Sequence, residues 1–328
     1  MKSKKYFIKT FGCQMNVADA EGVAGWYQQK GWQEAKSIKD ADEVIIVTCS
    51  VRQTAENRVY GLINNLPKLK IVLTGCMLRY PLRWLKDKMP QVDEFRKIDE
   101  FKVAGEKIVR ESKIHAFVPI MEGCNQFCAY CVVPYARGRE VSRPFKEILC
   151  EIKELVKRSY QEITLLGQNV NSYTYNFAKL LQAIHQIKGV KKISFLTSNP
   201  WDLTDEIIEA IRLPKIDRYL HLPVQSGDDE ILRKMNRPYK VKDYLQLVEK
   251  IRKKIPDIKI GTDIIVGFPG ETGEQFQNTV NLCKRVGFVK AYVSRYSPRW
   301  GTVAFKLKDD ISHQEKKRRW KILDDLIN

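Results

Sequence analysis

The chain has 328 residues, 44% hydrophobic and 29% charged, which excludes a disordered polymer and leaves room for about two domains of roughly 100–200 residues each. Lys and Arg number 57 against 39 Asp and Glu, a formal net charge of +18 that is spread along the chain and suits a polyanionic partner such as nucleic acid. No run approaches the ~20 consecutive apolar residues of a spanning helix, and residues 1–5 lead into the strand-like Tyr6-Phe7-Ile8 rather than a secretory apolar region, so a cytoplasmic chain without a membrane partner is expected.

The opening third repeats one pattern: an apolar strand, a cysteine, then a helix. Residues 5–11 lead to Cys13, 44–48 to Cys49 and 71–74 to Cys76. Helical or mixed segments are predicted over 17–30, 51–66 and 80–89, with Gly31 and Pro90 as breakers. This reads as a small α/β domain with a mostly parallel sheet. Successive parallel strands place their C-terminal ends along one sheet edge, so the three cysteines can converge. Residues 90–113 are charged and lack clear periodicity; they read as the end of a first domain, 1–112, and a linker.

In the second domain, 113–328, strands are predicted at 115–121, 162–166, 191–196, 216–221, 258–266 and 289–296. Helices near 144–159, 176–187, 203–212, 228–235, 241–254 and 272–286 alternate with them. Six βα units make a partial (βα)6 barrel, since a closed eight-stranded one usually takes ~250 residues. A last helix over 312–327 opens with a capping-box pattern, Ser312 with Glu315, and carries Trp320, Leu323 and Ile327 at helical spacing.

Eight cysteines are too few for a disulfide scaffold of this length, and in a reducing compartment grouped cysteines bind metal or perform chemistry. Cys124, Cys128 and Cys131 form C-x3-C-x2-C directly after the first barrel strand. Three such thiolates can hold three irons of a four-iron cubane. The next cysteine, Cys150, lies inside a helical pattern, which leaves one iron open to an outside ligand. Structural zinc, with His115 as a fourth ligand, is the alternative that spacing leaves open, although the usual second close ligand pair is missing. Taken singly, Cys13, Cys49 and Cys76 also read as small buried side chains near strand ends. Cys150 and Cys283 read as helix core positions.

Residues 121–140, MEGCNQFCAYCVVPYARGRE, resemble the radical S-adenosylmethionine enzymes, and within them the methylthiotransferases. GCQMN around Cys13, TCSVRQTAENR around Cys49 and GCM around Cys76 resemble the amino-terminal domain of the same family. LLGQN at 165–169, LHLPVQSG at 220–227 and DIIVGFPGE at 263–271 match further strings of it, and the likeness runs from about residue 5 to 327. It implies two [4Fe-4S] clusters, one on Cys124, Cys128 and Cys131 and an auxiliary one on Cys13, Cys49 and Cys76. It places S-adenosylmethionine contacts at Gly167, Gln168, Asn169, Ser198, Gln225, Asp263 and Val266. Gln168, Asn169 and Gln225 offer amide donors and acceptors, and backbone near Gly267 can approach a ligand without a Cβ clash. Tyr130 stands where the superfamily has an aromatic ring near the adenine. Arg137, Arg139, Arg143 and Arg299 are candidate substrate contacts, since Arg donors fit phosphate oxygens. For the first three, a solvated surface or an internal salt bridge to Glu122 or Glu140 is the alternative.

GCQMN, TCSVRQTAENRVYG and LLGQNVNSY favour the branch acting on isopentenylated adenosine 37 of tRNA. The branch acting on threonylcarbamoyl adenosine and a non-catalytic iron-sulfur RNA-binding protein stay open. The resemblance implies that one S-adenosylmethionine methylates sulfur associated with the auxiliary cluster. Another is cleaved to a 5′-deoxyadenosyl radical that attacks adenine C2–H, a position without an easily ionised proton. The implied partners of a monomer are the tRNA anticodon stem-loop, an electron donor of flavodoxin or ferredoxin type and a sulfur-supply protein.

The chain departs from the family's pattern in three places. Trp300 stands where the family commonly has proline, and Asn199 where many relatives have histidine. In these 328 residues no string resembles the family's C-terminal RNA-binding TRAM barrel, whether by truncation or natural reduction, and without it weaker, salt-dependent tRNA binding is expected. No nucleophile–base pair stands out among the dispersed His115, His185, His221 and His313, so hydrolytic chemistry has little support.

Overall fold

A computed structural model describes residues 3–101, 103 and 105–328. The opening third contains β1 (Lys5–Thr10), α1 (Gln14–Gln29), β2 (Gln33–Glu34), β3 (Glu43–Thr48), α2 (Gln53–Ile63), β4 (Lys70–Gly75), α3 (Leu82–Lys88) and β5 (Glu94–Phe95). Its strands form one parallel sheet in the order β2-β1-β3-β4-β5. The central β3, EVIIVT, is buried at every position, as a parallel strand covered on both faces must be. Alternate residues feed two cores: Val44 and Ile46 pack with Leu73, Met77 and Leu85, and Ile45 packs with Tyr6, Val23, Tyr27 and Phe101.

The stretch read as linker is partly ordered structure. It supplies the two-residue edge strand β5 and the 3-10 turns Ile98–Phe101 and Gly105–Lys107. Arg110 then joins the two parts of the chain. Its side chain, 1% exposed, pairs with Glu21 of α1 at 3.3 Å and with Glu151 in the second half at 2.7 Å.

The second part runs β6 (His115–Pro119), β7 (Met121–Glu122), α4 (Val133–Arg137), β8 (Val141–Ser142), α5 (Phe145–Lys157), β9 (Glu162–Leu166), α6 (Phe177–His185), β10 (Lys192–Phe195) and α7 (Asp205–Ile211). It continues with β11 (Tyr219–His221), α8 (Asp229–Lys234), α9 (Val241–Lys254), β12 (Lys259–Val266), α10 (Gly273–Val286), β13 (Lys290–Arg295) and α11 (His313–Ile327). Strands β6, β9 and β10 pair in parallel, as do β11, β12 and β13. A parallel bridge between Ile193 and Ile216 joins the two sets, through Ile193 N–H to Lys215 O and Asp217 N–H to Ile193 O, both 2.8 Å. Six parallel strands thus follow one another in chain order as an open barrel.

Three features of this part differ from the sequence reading. Helix α5 buries Ile148, Ile152 and Leu155, and Cys150, two residues from either isoleucine, falls on the opposite face and is exposed; of these two cysteines Cys283 alone lies in the core. At α11 the Ser312 hydroxyl accepts from Glu315 N–H at 3.2 Å, but the Glu315 carboxylate turns to Arg318 and Arg319, so the capping box is half made. The antiparallel pair β7/β8 and the short α4, which frame the cysteine loop, are additional elements. Among the described residues no helix is long and apolar enough to cross a membrane.

Candidate active site

In the strand order 2-1-3-4-5 the chain changes direction between β1 and β3, and parallel α/β sheets take ligands at the carboxyl ends of the strands there. Cys13 follows β1 as the N-cap of α1, Cys49 follows β3, and Cys76 opens the 3-10 turn Cys76–Arg79 after β4. Two glycines let these backbones close. A Cβ on Gly12 would lie 2.8 Å from that of Cys49, and one on Gly75, at φ +90°, 2.6 Å from Thr48 O. The buried Asn16 amide donates to Thr48 O at 2.9 Å and its oxygen accepts from the Cys13 thiol at 3.4 Å. Val51 N–H reaches Cys49 Sγ at 3.5 Å.

The second triad lies on the loop from β7 to α4. A Cβ on Gly123, at φ +77°, would lie 2.1 Å from Arg139 O, so this tight return requires glycine. Gln126 N–H donates to Cys124 Sγ and Arg237 to Cys128 Sγ, both at 3.4 Å. The loop is tied to the end of α8 by Ala129 N–H to Met235 O and the Asn236 amide to Phe127 O, both 2.9 Å. Amide and guanidinium donors aimed at sulfur favour the thiolate, the form that ligates metal.

Burial opposes that form in the metal-free protein. It pushes Cys76 up to about 11, with Arg137 countering and Cys49 adding repulsion, and Cys131 up to about 12, with Cys128 adding repulsion. Cys49 and Cys124 are raised as well, again chiefly by burial. At neutral pH these thiols hold protons that iron must displace, so metal loading releases protons and strengthens as pH rises. Reconstitution at equal free iron and sulfide is expected to be more complete at pH 8.5 than at pH 6.5, read by visible absorbance and iron counting. Among the described residues no three His, Cys, Asp or Glu side chains meet as ligands of one metal ion. The thiols of each triad are electrostatic neighbours without converging on one point.

Arg137 joins the part of the chain that carries the first triad to the part that carries the second. Carried on α4, which packs on the turn opened by Cys76, it donates to Asp19 of α1 at 2.6 Å and to Glu122 of β7 at 3.0 Å, with its side chain 6% exposed. Its positive charge favours the thiolates of both Cys76 and Cys49.

The barrel strand ends hold a different signature. Gln168 Oε1, Ser198 Oγ and Arg237 Nε are buried and without a hydrogen-bond partner, although an orphaned buried polar group ordinarily costs about 1–3 kcal/mol. Gln168 follows β9 and Ser198 follows β10; Thr197 Oγ1 donates to Gly167 O at 3.0 Å and ties the two ends together. Arg237 donates to Pro223 O at 3.1 Å and lies 4.6 Å over the Trp201 ring. An acceptor and a hydroxyl after barrel strands and a guanidinium that touches Cys128 suit the amino, carboxylate and ribose groups of S-adenosylmethionine. Tyr130 is half-buried there, its phenol raised by burial and lowered in part by Arg237.

Other expected contacts have internal partners. The Asn169 amide donates to Asp202 at 2.6 Å and its oxygen accepts from Asn199 N–H at 2.9 Å, so it pins two loops together. Asp263 lies in mid-strand with His221 Nε2 2.9 Å from its carboxylate. Val266 is fully buried and its carbonyl accepts from Tyr296 N–H at 2.9 Å. Gln225 is buried at φ +69°, its backbone paired with Asp263 and Ile265. Gly167 admits Met121, whose Cγ would lie 2.5 Å from an added Cβ.

The arginines also divide. Arg143 bonds Pro119 O at 2.6 Å and Glu151 at 2.8 Å. Arg299, 4% exposed, pairs with Glu56 and donates to Gln53 Oε1 at 2.6 Å and Ser50 O at 2.7 Å. With Arg137 these form internal ion pairs, although Arg299 keeps its buried Nε without a partner. Arg139 is exposed, 4.6 Å over Phe127, and keeps its donors at the surface. Arg237 escaped the sequence reading because MNRPY, between two helices, carries no spacing signal; its value comes from the cysteine and rings that the fold brings to it.

The profile of the Radical SAM superfamily matches residues 118–283, and that of the family described as "Uncharacterized protein family UPF0004" matches residues 5–96. A tRNA-2-methylthio-N(6)-dimethylallyladenosine synthase of Thermoanaerobacter pseudethanolicus is 42% identical over all of this chain and 78% of the relative. One of Clostridium botulinum strain Alaska E43 is 44% identical over 98% of this chain and 80% of the relative. Among solved structures, the radical S-adenosylmethionine methyltransferase TsrM of Kitasatospora setae, with cobalamin and a [4Fe-4S] cluster bound, superposes with a TM-score of 0.63. It shares 12% identity and covers 89% of this chain and 75% of its own. The cobalamin-dependent radical enzyme OxsB superposes at 0.59 with 9% identity, over 99% of this chain and 56% of its own. These two likenesses show the fold alone.

Proposed function

The chain belongs to the family of tRNA-2-methylthio-N(6)-dimethylallyladenosine synthases within the Radical SAM superfamily, and from that membership we propose that it installs a methylthio group at C2 of N6-isopentenyladenosine 37 in tRNA. S-adenosylmethionine and two [4Fe-4S] clusters supply, when bound, the radical, methyl and sulfur chemistry that no side chain here provides. Cys124, Cys128 and Cys131 hold the cluster that leaves one iron open; Cys13, Cys49 and Cys76 hold the auxiliary one. Gln168, Ser198 and Arg237 orient the S-adenosylmethionine, and Tyr130 shields it from water. Arg137 keeps a fixed positive charge between the two thiolate sets, and Arg139 meets the RNA backbone. A one-electron donor of flavodoxin or ferredoxin type and a sulfur-supply protein complete the reading.

One observation carries it: two cysteine triads, over forty positions apart at their nearest, sit in two parts of the chain that Arg137 joins through Asp19 and Glu122, with orphaned buried polar atoms on Gln168 and Ser198 after barrel strands and on Arg237 next to Cys128. The test is anaerobic reconstitution followed by assay on anticodon stem-loops, with nucleosides resolved by mass. Product is expected only from the isopentenylated RNA. Equal turnover of unmodified adenosine defeats the branch assignment, and product confined to threonylcarbamoyl adenosine moves the chain to the neighbouring branch.

A further inference from the structure

A second concavity, of about 650 Å³, lies between the face of α2, the segment after Cys76–Arg79 and the loop after β13, and the site described above does not use it. Its walls are aromatic. The Tyr80 and Trp84 rings are 4.6 Å apart at 31°, and Trp300 lies 5.8 Å from Tyr80 at 35°. Trp300 is 48% exposed and Phe305 44%, so neither ring is there to fill a core. The loop that presents Trp300 is nevertheless held firmly: Arg79 donates to Trp300 O at 2.6 Å with its guanidinium 4.0 Å over Tyr80, and the neighbouring Arg299 is buried on Glu56. Lys88, one helical turn beyond Trp84, brings an ammonium to the rim, while Tyr60 and Asn64 bring a hydroxyl and an amide.

We propose that this cleft binds an unpaired nucleotide of the RNA substrate, its base stacked on Trp300 and its phosphate beside Lys88. The proposal rests on the reading that the substrate is RNA. The choice of occupant follows from the lining. Every base offers a π-face to an aromatic wall, and stacking of this kind tolerates any base. An apolar peptide would require mainly aliphatic walls, whereas here Ile63, Met89, Pro81 and Pro298 stand among five aromatic side chains and several polar ones. The cation belongs with a phosphate, as the chain's net charge of +18 does with a polyanion. Arg79 shares its short turn with Cys76, so the cleft adjoins the auxiliary triad, and one RNA can present its target base to the site and a neighbouring base to Trp300.

The test uses the full, cluster-loaded chain and an isopentenylated anticodon stem-loop, with affinity measured by anisotropy over a salt series. Trp300→Ala is expected to weaken binding about 10-fold, the loss of one stacked base, with the salt slope unchanged because no phosphate contact is removed. Trp300→Phe keeps a ring and is expected to bind within about 2-fold of wild type. The quenching of tryptophan fluorescence on RNA addition is expected to shrink in Trp300→Ala, while RNA-independent cleavage of S-adenosylmethionine stays at the wild-type rate. Wild-type protein that modifies the RNA while Trp300→Ala binds it equally well overturns the cleft alone. Wild-type protein that neither binds nor modifies the RNA overturns the substrate reading and this proposal with it.

Discussion

Cys128→Ala and Cys76→Ala are expected to break the reaction at different points. The first should reduce 5′-deoxyadenosine formation to background; the second should leave that formation intact and eliminate the methylthio product. The expectation follows from where the thiols sit. Cys128 shares its loop with Cys124 and Cys131 and touches Arg237, whose buried Nε has no partner. Cys76 belongs to the edge of another sheet, with Cys13 and Cys49. Each variant should lose one cluster, so iron should fall from about eight per chain to about four in both. Alanine replaces a small buried thiol in either place, and folding is expected to survive. Identical phenotypes in the two variants, or iron lost entirely from both, would show that the triads do not serve separate groups.

What was legible in the sequence divides along a physical line. Periodicity and punctuation reveal whatever is local and long: β3 reads as a continuous apolar run because it is buried at every position, and α9 spans Val241–Lys254, as its pattern predicts. Elements of two residues, such as β5, β7 and β8, are too short for any period. Their existence depends on pairing partners the sequence does not place. The cysteines stood out for a chemical reason, since thiols at C-x3-C-x2-C spacing and at successive strand ends are grouped in the way metal-binding thiols are. For Arg137 the sequence suggests the salt bridge to Glu122, 15 positions away, but not the one to Asp19, 118 positions away, and the Glu56 partner of Arg299 lies 243 positions away. An arginine near a cluster loop reads the same from sequence whether it awaits a phosphate or is already neutralised inside. Asn169 shows the converse limit: the polar string at a strand end was found, but which of its amides bonds the neighbouring loop and which is left for a ligand is decided by side-chain direction.

Arg137→Met is expected to cost about 3–5 kcal/mol of stability, because it strips a buried guanidinium from Asp19 and Glu122 and leaves a carboxylate uncompensated. Asp19 already has its carboxyl pKa raised by burial, with Arg137 pulling it back down. Without Arg137 that pKa rises further. A carboxyl raised in the folded state contributes its stability below the unfolded value and loses it as pH climbs through the folded one. The deficit of the variant should therefore be largest near pH 7.5 and shrink towards pH 5, as Asp19 takes up a proton. Arg137→Lys keeps the charge but cannot span both partners, and should fall between wild type and Arg137→Met. Adding Asp19→Asn to Arg137→Met removes the stranded charge and should recover part of the loss and abolish its pH dependence. Denaturant unfolding at the two pH values measures all four proteins. A deficit that is independent of pH, or unaffected by Asp19→Asn, would mean that Arg137 holds the triads together through packing alone. The outcome expected instead makes the junction electrostatic: one buried cation pairs with α1 and β7 and lends the same charge to the thiolates of Cys49 and Cys76, so the contact that seats the auxiliary triad against the barrel also favours the form in which that triad binds metal.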